Sequence, residues 1–259
     1  MKNRDPHNEV VRAQFALQAV PFSTALHAND PELLNQYLRL IALQPGERVV
    51  DFCSGPGIVA ARLAGAGCVV CLDVTHEMLL EARKRAPQAL LVESHAGRAP
   101  FARSTGSISI FDIAVSRLSL HHVQRPEEVV LEMARVVAPG GRVVINDIVT
   151  SENKEESAYT ERIERLRDPS HTRCLTGSEL ERLCIACGLR TTAVESYVST
   201  IDHDEWMTRV FPPDRNRPVV RSMLEEMAGR DMGGMRVEKS GDKIWISRRG
   251  KIVCAVRAD

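Results

Sequence analysis

No stretch of this chain approaches the roughly 20 consecutive apolar residues of a membrane-spanning helix, so no membrane partner is expected. The opening Met1-Lys2-Asn3-Arg4-Asp5-Pro6-His7 is polar and lacks the apolar run of a signal peptide. Net charge is missing too. Lys+Arg and Asp+Glu both total 34, which removes any electrostatic reason to expect RNA or DNA as partner. A small-molecule partner is expected instead. A disulfide framework is also absent: the seven cysteines are an odd number, and several fall on predicted strands or helices. That pattern indicates reduced thiols and a cytoplasmic protein. Cys184 and Cys187 form a C-x-x-C without a second pair, inside the helical stretch Glu179–Cys187. They read as core-facing helix positions, and no metal site is expected. No internal repeat or low-complexity tract is present.

What the chain does have is the run Val49-Val50-Asp51-Phe52-Cys53-Ser54-Gly55-Pro56-Gly57, followed by Cys71-Leu72-Asp73. It reads as an apolar strand ending in an acid, a glycine turn, a helix from Ile58, and a second strand ending on Asp73. Glycines let the backbone approach a ligand closely. A helix N-terminus behind them offers unpaired N–H groups. Asp73 falls where a carboxylate can accept both hydroxyl protons of a ribose, so the segment describes a nucleoside-binding crevice. Two cofactors compete for it. Gly55-Pro56-Gly57-Ile58-Val59-Ala60 satisfies the dinucleotide pattern G-x-G-x-x-G/A, and Asp73 lies 18 residues beyond Gly55, near the spacing of an NAD site. Asp51 discriminates. A carboxylate just ahead of the turn repels a pyrophosphate but suits a ligand carrying an ammonium and a sulfonium, which describes S-adenosylmethionine.

Strands and helices alternate along the chain, the pattern of a mostly parallel sheet with helices on both faces. Helices are expected over Val10–Leu17 and Pro31–Leu43, then strands over Arg48–Phe52 and Val69–Asp73 with a helix from Ile58 to about Ala64 between them. Thr75 is a candidate N-cap for a helix over Glu77–Ala86, with Met78, Leu79 and Leu80 inward. Further strands are expected at Ala89–Val92, Phe111–Ser116 and Arg142–Ile148, with an amphipathic helix over Glu127–Val137. Ser151–Ser170 is charged and helical. Thr176 with Glu179 three residues later has capping-box spacing, and Thr191–Val198 follows as strand six. Residues 200–240 read as an insertion. Lys243–Ser247 and Lys251–Arg257 flank Arg248-Arg249-Gly250, as a strand pair or one bent final strand.

Asp51 with Cys53-Ser54-Gly55-Pro56-Gly57 resembles the first motif of class I S-adenosylmethionine-dependent methyltransferases, and Pro139-Gly140-Gly141-Arg142-Val143-Val144-Ile145 is similar to their entry into strand five. Asp73-Val74-Thr75-His76-Glu77-Met78-Leu79, Ser116-Arg117-Leu118-Ser119-Leu120-His121-His122-Val123 and the N-terminal Gln14–Phe22 resemble the ubiquinone/menaquinone-biosynthesis-like branch. The resemblance spans about residues 10–200. It implies one Rossmann-like, doubly wound α/β domain over 1–259. Its mostly parallel seven-stranded sheet would have an antiparallel last strand. A helical cover (1–45), a cofactor-binding core (46–150) and a substrate side (151–259) would make up the chain.

The resemblance also implies roles. Asp51, Gly55 and Gly57 would hold the methionine part of S-adenosylmethionine, Asp73 the ribose and Val74 the adenine, with Ala96 and Arg117 completing the cofactor site. Where the branch carries Gly-Asp-Ala, this chain reads Ser94-His95-Ala96. His95 thus replaces an acid, and a neutral imidazole nitrogen can accept from the adenine amino group. The reaction implied is methyl transfer to an oxygen, nitrogen or carbon of a small metabolite, releasing S-adenosylhomocysteine. His121 and His122 follow strand four at the same sheet edge, and a histidine suits removal of an acceptor proton. His121 is slightly favoured as the base. Asp147 would orient a histidine or hold substrate. His171 or Arg167 lines the acceptor pocket, or else His171 is a surface residue and Asp168 forms a local salt bridge. Trp206 anchors the insertion or stacks on an aromatic substrate. Two alternatives stay open, a cyclase-type enzyme that uses S-adenosylmethionine as a fixed cation and an NAD-dependent oxidoreductase. No oligomeric state is selected.

Overall fold

The computed structural model describes residues 6–103 and 110–258, so Met1–Asp5 of the polar opening lie outside the described residues. Valine pairs dictate the first strands. β1 (Arg48–Phe52) and β2 (Cys68–Asp73) bury everything after their first residue, as strands covered on both faces must. β1 pairs in parallel with β2 and with β4 (Phe111–Arg117); β2 pairs with β3 (Leu90–Glu93), and β4 with β5 (Val137–Thr150). β9 (Lys243–Arg257) runs antiparallel between β5 and β7 (Leu189–Asp202). The order β3-β2-β1-β4-β5-β9-β7 is the expected mostly parallel, Rossmann-like sheet with its last strand reversed. Two short strands, β6 (Leu175–Thr176) and β8 (Met235–Ser240), extend it beside β5 and β9.

Capping residues set the helix starts. α1 covers Pro6–Thr24. α2 (Pro31–Ile41) begins where the Asp30 carboxylate accepts the N–H groups of Glu32 and Leu33, with proline at the first helical position. Its Tyr37 hydroxyl lies 2.9 Å from the Ser116 carbonyl and 2.8 Å from that of Val144, and accepts the Ser116 N–H, which pins α2 across β4 and β5. α3 (His76–Arg85), α4 (Pro126–Val136) and α5 (Lys154–Arg167) follow. The capping box of Thr176 and Glu179 opens α6 (Gly177–Ala186) as expected. α7 (His203–Thr208) and α8 (Asn216–Glu226) lie between β7 and β8.

One core packs α4 and α6 on the sheet through Met133, Val130 and Leu180, and a second packs α2 and α3 on the opposite face through Tyr37, Ile41 and Leu79. A third lies around Trp206, Ile163, Val220, Leu224 and Ile246. Met223, Met227 and Met235 are buried within it. Cys184 and Cys187 are buried and free. Among the described residues no helix is long and apolar enough to cross a membrane.

Three local expectations fail. The helix from Ile58 is a single 3-10 turn at Ala60–Arg62. Gly57 (φ 72) and Gly65 (φ 96) bracket it in left-handed backbone, and the span between them is too short to repay helix nucleation. No α-helix N-terminus therefore stands behind the glycine turn. Leu80 is 50% exposed while Met78 and Leu79 are buried, because at about 100° per residue three consecutive positions cannot share one face. Strand five, expected over Arg142–Ile148, already begins at Val137 and takes Pro139-Gly140-Gly141 into β5, whereas the C-terminal segment takes the single-strand reading as one continuous β9.

Candidate functional site

The parallel register brings the carboxyl ends of β1, β2, β4 and β5 to one edge. Asp51 pairs with Cys71, Phe52 with Ser116, and Arg117 with Asn146. Ligands of open α/β sheets bind outside that edge. Here it opens on a cavity of about 1120 Å³ lined by Asp51, Gly55, Asp73, Val74, His95, Ala96 and Arg117, and covered by α1 residues including Val11 and Phe15. Seven of the eight expected cofactor residues thus line one cavity. Gly57 does not. A Cβ there would stand 3.1 Å from the backbone and side chain of Ala82, so this glycine lets the turn pack on α3.

Asp73 is tied into the turn: its carboxylate accepts the Gly55 N–H at 2.8 Å and the Thr75 N–H at 2.9 Å. Burial raises its pKa and these backbone donors oppose the rise. Asp51 is treated differently. It is 1% exposed, and its Oδ2 is buried with no hydrogen-bond partner. Burial and the neighbouring Asp73 charge push its pKa up to about 8, against the pull of Arg117. A buried carboxylate with an orphaned oxygen, in a residue that lines a cavity, calls for a cation or donor.

His95 corrects its expected role. Its Nδ1 accepts the Gly97 N–H at 3.1 Å. The neutral ring therefore carries its proton on Nε2, which donates rather than accepts. It can meet a ring nitrogen of a base but not an amino group.

The histidine pair sits on a 3-10 turn, Leu120–His122, directly after β4. His121 Nδ1 lies 2.6 Å from Asp147 Oδ1, and Asp147 also accepts the N–H groups of His121 and Ile148. Burial opposes ionisation of Asp147, but the His121 charge and these bonds hold its pKa below the usual carboxylate range. His122 donates from Nδ1 to Ser170 Oγ at 3.1 Å, and Ser170 donates to Asp168 at 2.6 Å. Burial, then the neighbouring His121, push His122 down to about 3. Thr172 clamps the turn by donating its N–H and hydroxyl to the His121 carbonyl. His122 lines the large cavity; His121 lines a second cavity of about 60 Å³ that adjoins it through Phe22, Arg117, Leu118 and His122.

Arg167 lines that second cavity. His171 is buried and bonded to Glu161 at 2.8 Å, so the surface reading fails. Trp206 is a core anchor, 1% exposed, beneath the Arg167 guanidinium at 4.1 Å, and it also lines the second cavity. Sequence reasoning missed Ser170 and Arg209, whose roles depend on distant chain segments. It also missed the backbone of Cys53 (φ 53) and Leu118 (φ 54), which follow β1 and β4 directly and line the large cavity. Left-handed backbone costs a non-glycine residue about 1–3 kcal/mol and collects at ligand sites.

Residues 50–145 match a family model described as a methyltransferase domain. The chain is 31% identical over 144 residues to the ubiquinone/menaquinone biosynthesis C-methyltransferase UbiE of Roseobacter denitrificans, a match covering 52% of this chain and 54% of that protein. The chain thus spans about half the length of that relative. It is 29% identical over 199 residues to the uncharacterized methyltransferase YcgJ of Bacillus subtilis, covering 74% of this chain and 76% of that one. The crystal structure of YcgJ has the same fold, with a TM-score of 0.78 at 22% identity over 88% of this chain and 99% of that one.

Proposed function

We propose that this chain, which carries a class I methyltransferase domain of the ubiquinone/menaquinone-type branch, binds S-adenosylmethionine and transfers its methyl group to a small-molecule acceptor. The observation that carries the reading is the buried, unpartnered Asp51 Oδ2 in a cavity shared with Asp73. An ammonium or sulfonium satisfies that oxygen, whereas the pyrophosphate of a dinucleotide would meet two carboxylates. When bound, S-adenosylmethionine supplies an electrophilic methyl carbon on a positively charged sulfur.

The residues of the chain then divide the work. Asp51 ionises against the cation, and Arg117 on the neighbouring strand end favours that ionised state. Asp73 keeps the glycine turn in place with two backbone bonds while its remaining lone pairs face the ribose. Val74 and Ala96 border the adenine position, and His95 donates to a ring nitrogen there. α1 covers the cavity and excludes water, which strengthens the electrostatics inside.

For proton removal His121 is the stronger candidate. A group with a pKa near 3, such as His122, holds a proton poorly at neutral pH. His121 has ionised Asp147 at 2.6 Å on Nδ1, which fixes the tautomer, leaves Nε2 as the basic nitrogen, and stabilises the imidazolium that forms. His122 stays neutral at the junction of the two cavities and orients the acceptor. This pairing suits a reacting atom that must shed a proton, an oxygen or an activated carbon. The C-methyltransferase relative supports the carbon reading.

The test is product mass after incubation of the protein with S-adenosylmethionine and a set of phenolic and enolisable acceptors. Gain of one methyl group with release of S-adenosylhomocysteine is expected. An isomer of unchanged mass, formed only with cofactor present, would replace transfer by a cyclase-type reaction.

A further inference from the structure

The second cavity is lined by four arginines drawn from separate parts of the chain: Arg117 at the end of β4, Arg167 at the end of α5, Arg209 after α7 and Arg248 in β9. Two of the four have an acid in ion-pair contact and two, Arg117 and Arg209, have none among the described residues. Arg167 and Arg248 both pair with the single carboxylate of Glu164, at 3.4 and 2.7 Å. Asp168, also on the wall, accepts from Ser170 and Gln18. Asp147 is committed to His121. Arg117 donates to the Ala28 carbonyl at 2.9 Å, its Nε is buried without a partner, and it forms no ion pair among the described residues. Arg209, 4% exposed, points one guanidinium nitrogen at His27 Nε2, 2.8 Å away. It too forms no ion pair among the described residues, although the Glu205 charge one turn earlier favours its charged form.

Trp206 and His27 also line this cavity. The Trp206 Nε1–H is buried with no acceptor, although a buried indole N–H ordinarily finds one. His27 accepts from Arg209 and is held neutral by burial and by the surrounding arginines. Burial and the Arg167 charge lower Arg209 to about 9, against the pull of Glu205 and Glu164. Burying cations without anions carries a large desolvation penalty, which a ligand anion removes. Planar guanidinium groups match the two oxygens of a carboxylate or the oxygens of a phosphate.

We propose that this cavity is an oxyanion subsite that holds a carboxylate or phosphate of the methyl acceptor, with Arg209, Arg117 and the Trp206 indole N–H as its donors. It takes the charged head group. The rest of the acceptor extends past His122 and Leu118 into the large cavity, which brings its reacting atom toward His121 and the cofactor position. The specificity rests on the methyltransferase reading above, but the anion site does not need cofactor to be seen.

Trp206 itself reports on occupancy. In a Trp245→Phe background it is the single tryptophan, since the chain has two. Its fluorescence is followed during titration with benzoate, phenyl phosphate and the neutral isostere benzamide in a buffer free of oxyanions. A saturable change with at least one anion and none with benzamide is expected, and the stronger anion identifies the head group. Arg209→Gln should weaken that binding tenfold or more while calorimetric binding of S-adenosylmethionine stays within threefold of the parent. Benzamide binding as well as the anions, or no response to either anion, overturns the proposal even if S-adenosylmethionine binds. Anion binding without S-adenosylmethionine binding keeps this subsite and removes the methyltransferase reading.

Discussion

Affinity for S-adenosylmethionine should depend steeply on pH through Asp51. The carboxylate must ionise to meet a cation, and its pKa in the ligand-free protein is about 8. Each pH unit below that value costs about 1.36 kcal/mol to ionise the group. From about pH 6 to about pH 7.5 the ionised fraction climbs from roughly 1% to roughly 24%, so affinity should rise about 20-fold, or about 1.8 kcal/mol. The window stays below the α-amino range of roughly 7.7–8.0, so the ammonium of the ligand remains mostly protonated. Calorimetry across this window measures the effect, and repeating it in buffers of different ionisation enthalpy should reveal release of close to one proton at the acid end. Asp51→Asn should bind weakly with no rise. A flat wild-type affinity, or an equal rise in Asp51→Asn, would refute the link between Asp51 and the cation.

The same residue should oppose stability. Its folded pKa lies above its unfolded one, so between about pH 4 and about pH 8 the folded state binds more protons and unfolding becomes easier as pH rises. Asp51→Asn should therefore raise the melting temperature of the ligand-free protein near pH 8 and leave it little changed near pH 4; thermal scans at both values decide. Asp73→Ala should weaken S-adenosylmethionine by about 1–3 kcal/mol, read by calorimetry, since the turn loses the acceptor for Gly55 and Thr75. His121→Ala and Asp147→Asn should each lower turnover by about 10²–10⁴ with cofactor affinity retained, whereas loss of affinity alone would place them in the binding site. Gly57→Ala should destabilise by about 1–2 kcal/mol, seen in denaturant unfolding, because its backbone is left-handed and Ala82 crowds it.

The parts visible in the sequence are those written locally. Val-Val-Asp before a glycine turn encodes a buried strand and an acid near its carboxyl end within nine residues, and both appear in the structure. The capping box at Thr176 is equally local. His121, His122 and Asp147 could be placed at one sheet edge because parallel strands align their ends. The helix from Ile58 was misread because apolar composition carries no information on whether two flanking glycines leave room for a second turn. The tautomer of His95 depends on a backbone N–H two residues away, which only the fold aims at Nδ1. The arginine cavity is further still from view. Its walls come from residues 18 to 248, and of its arginines only Arg117 stands in a motif with other cavity residues, Leu118, His121 and His122. Only long-range packing of α5, α7 and β9 beside the end of β4 brings them together.

The measurement that tests the central claim most directly is parallel calorimetric titration of the protein with S-adenosylmethionine, S-adenosylhomocysteine and NAD, with Asp73→Ala as control. Binding of both sulfur nucleosides, weakened in the variant, with no heat from NAD is the expected result. Binding of NAD alone would contradict the reading of Asp51 and the methyl-transfer chemistry built on it.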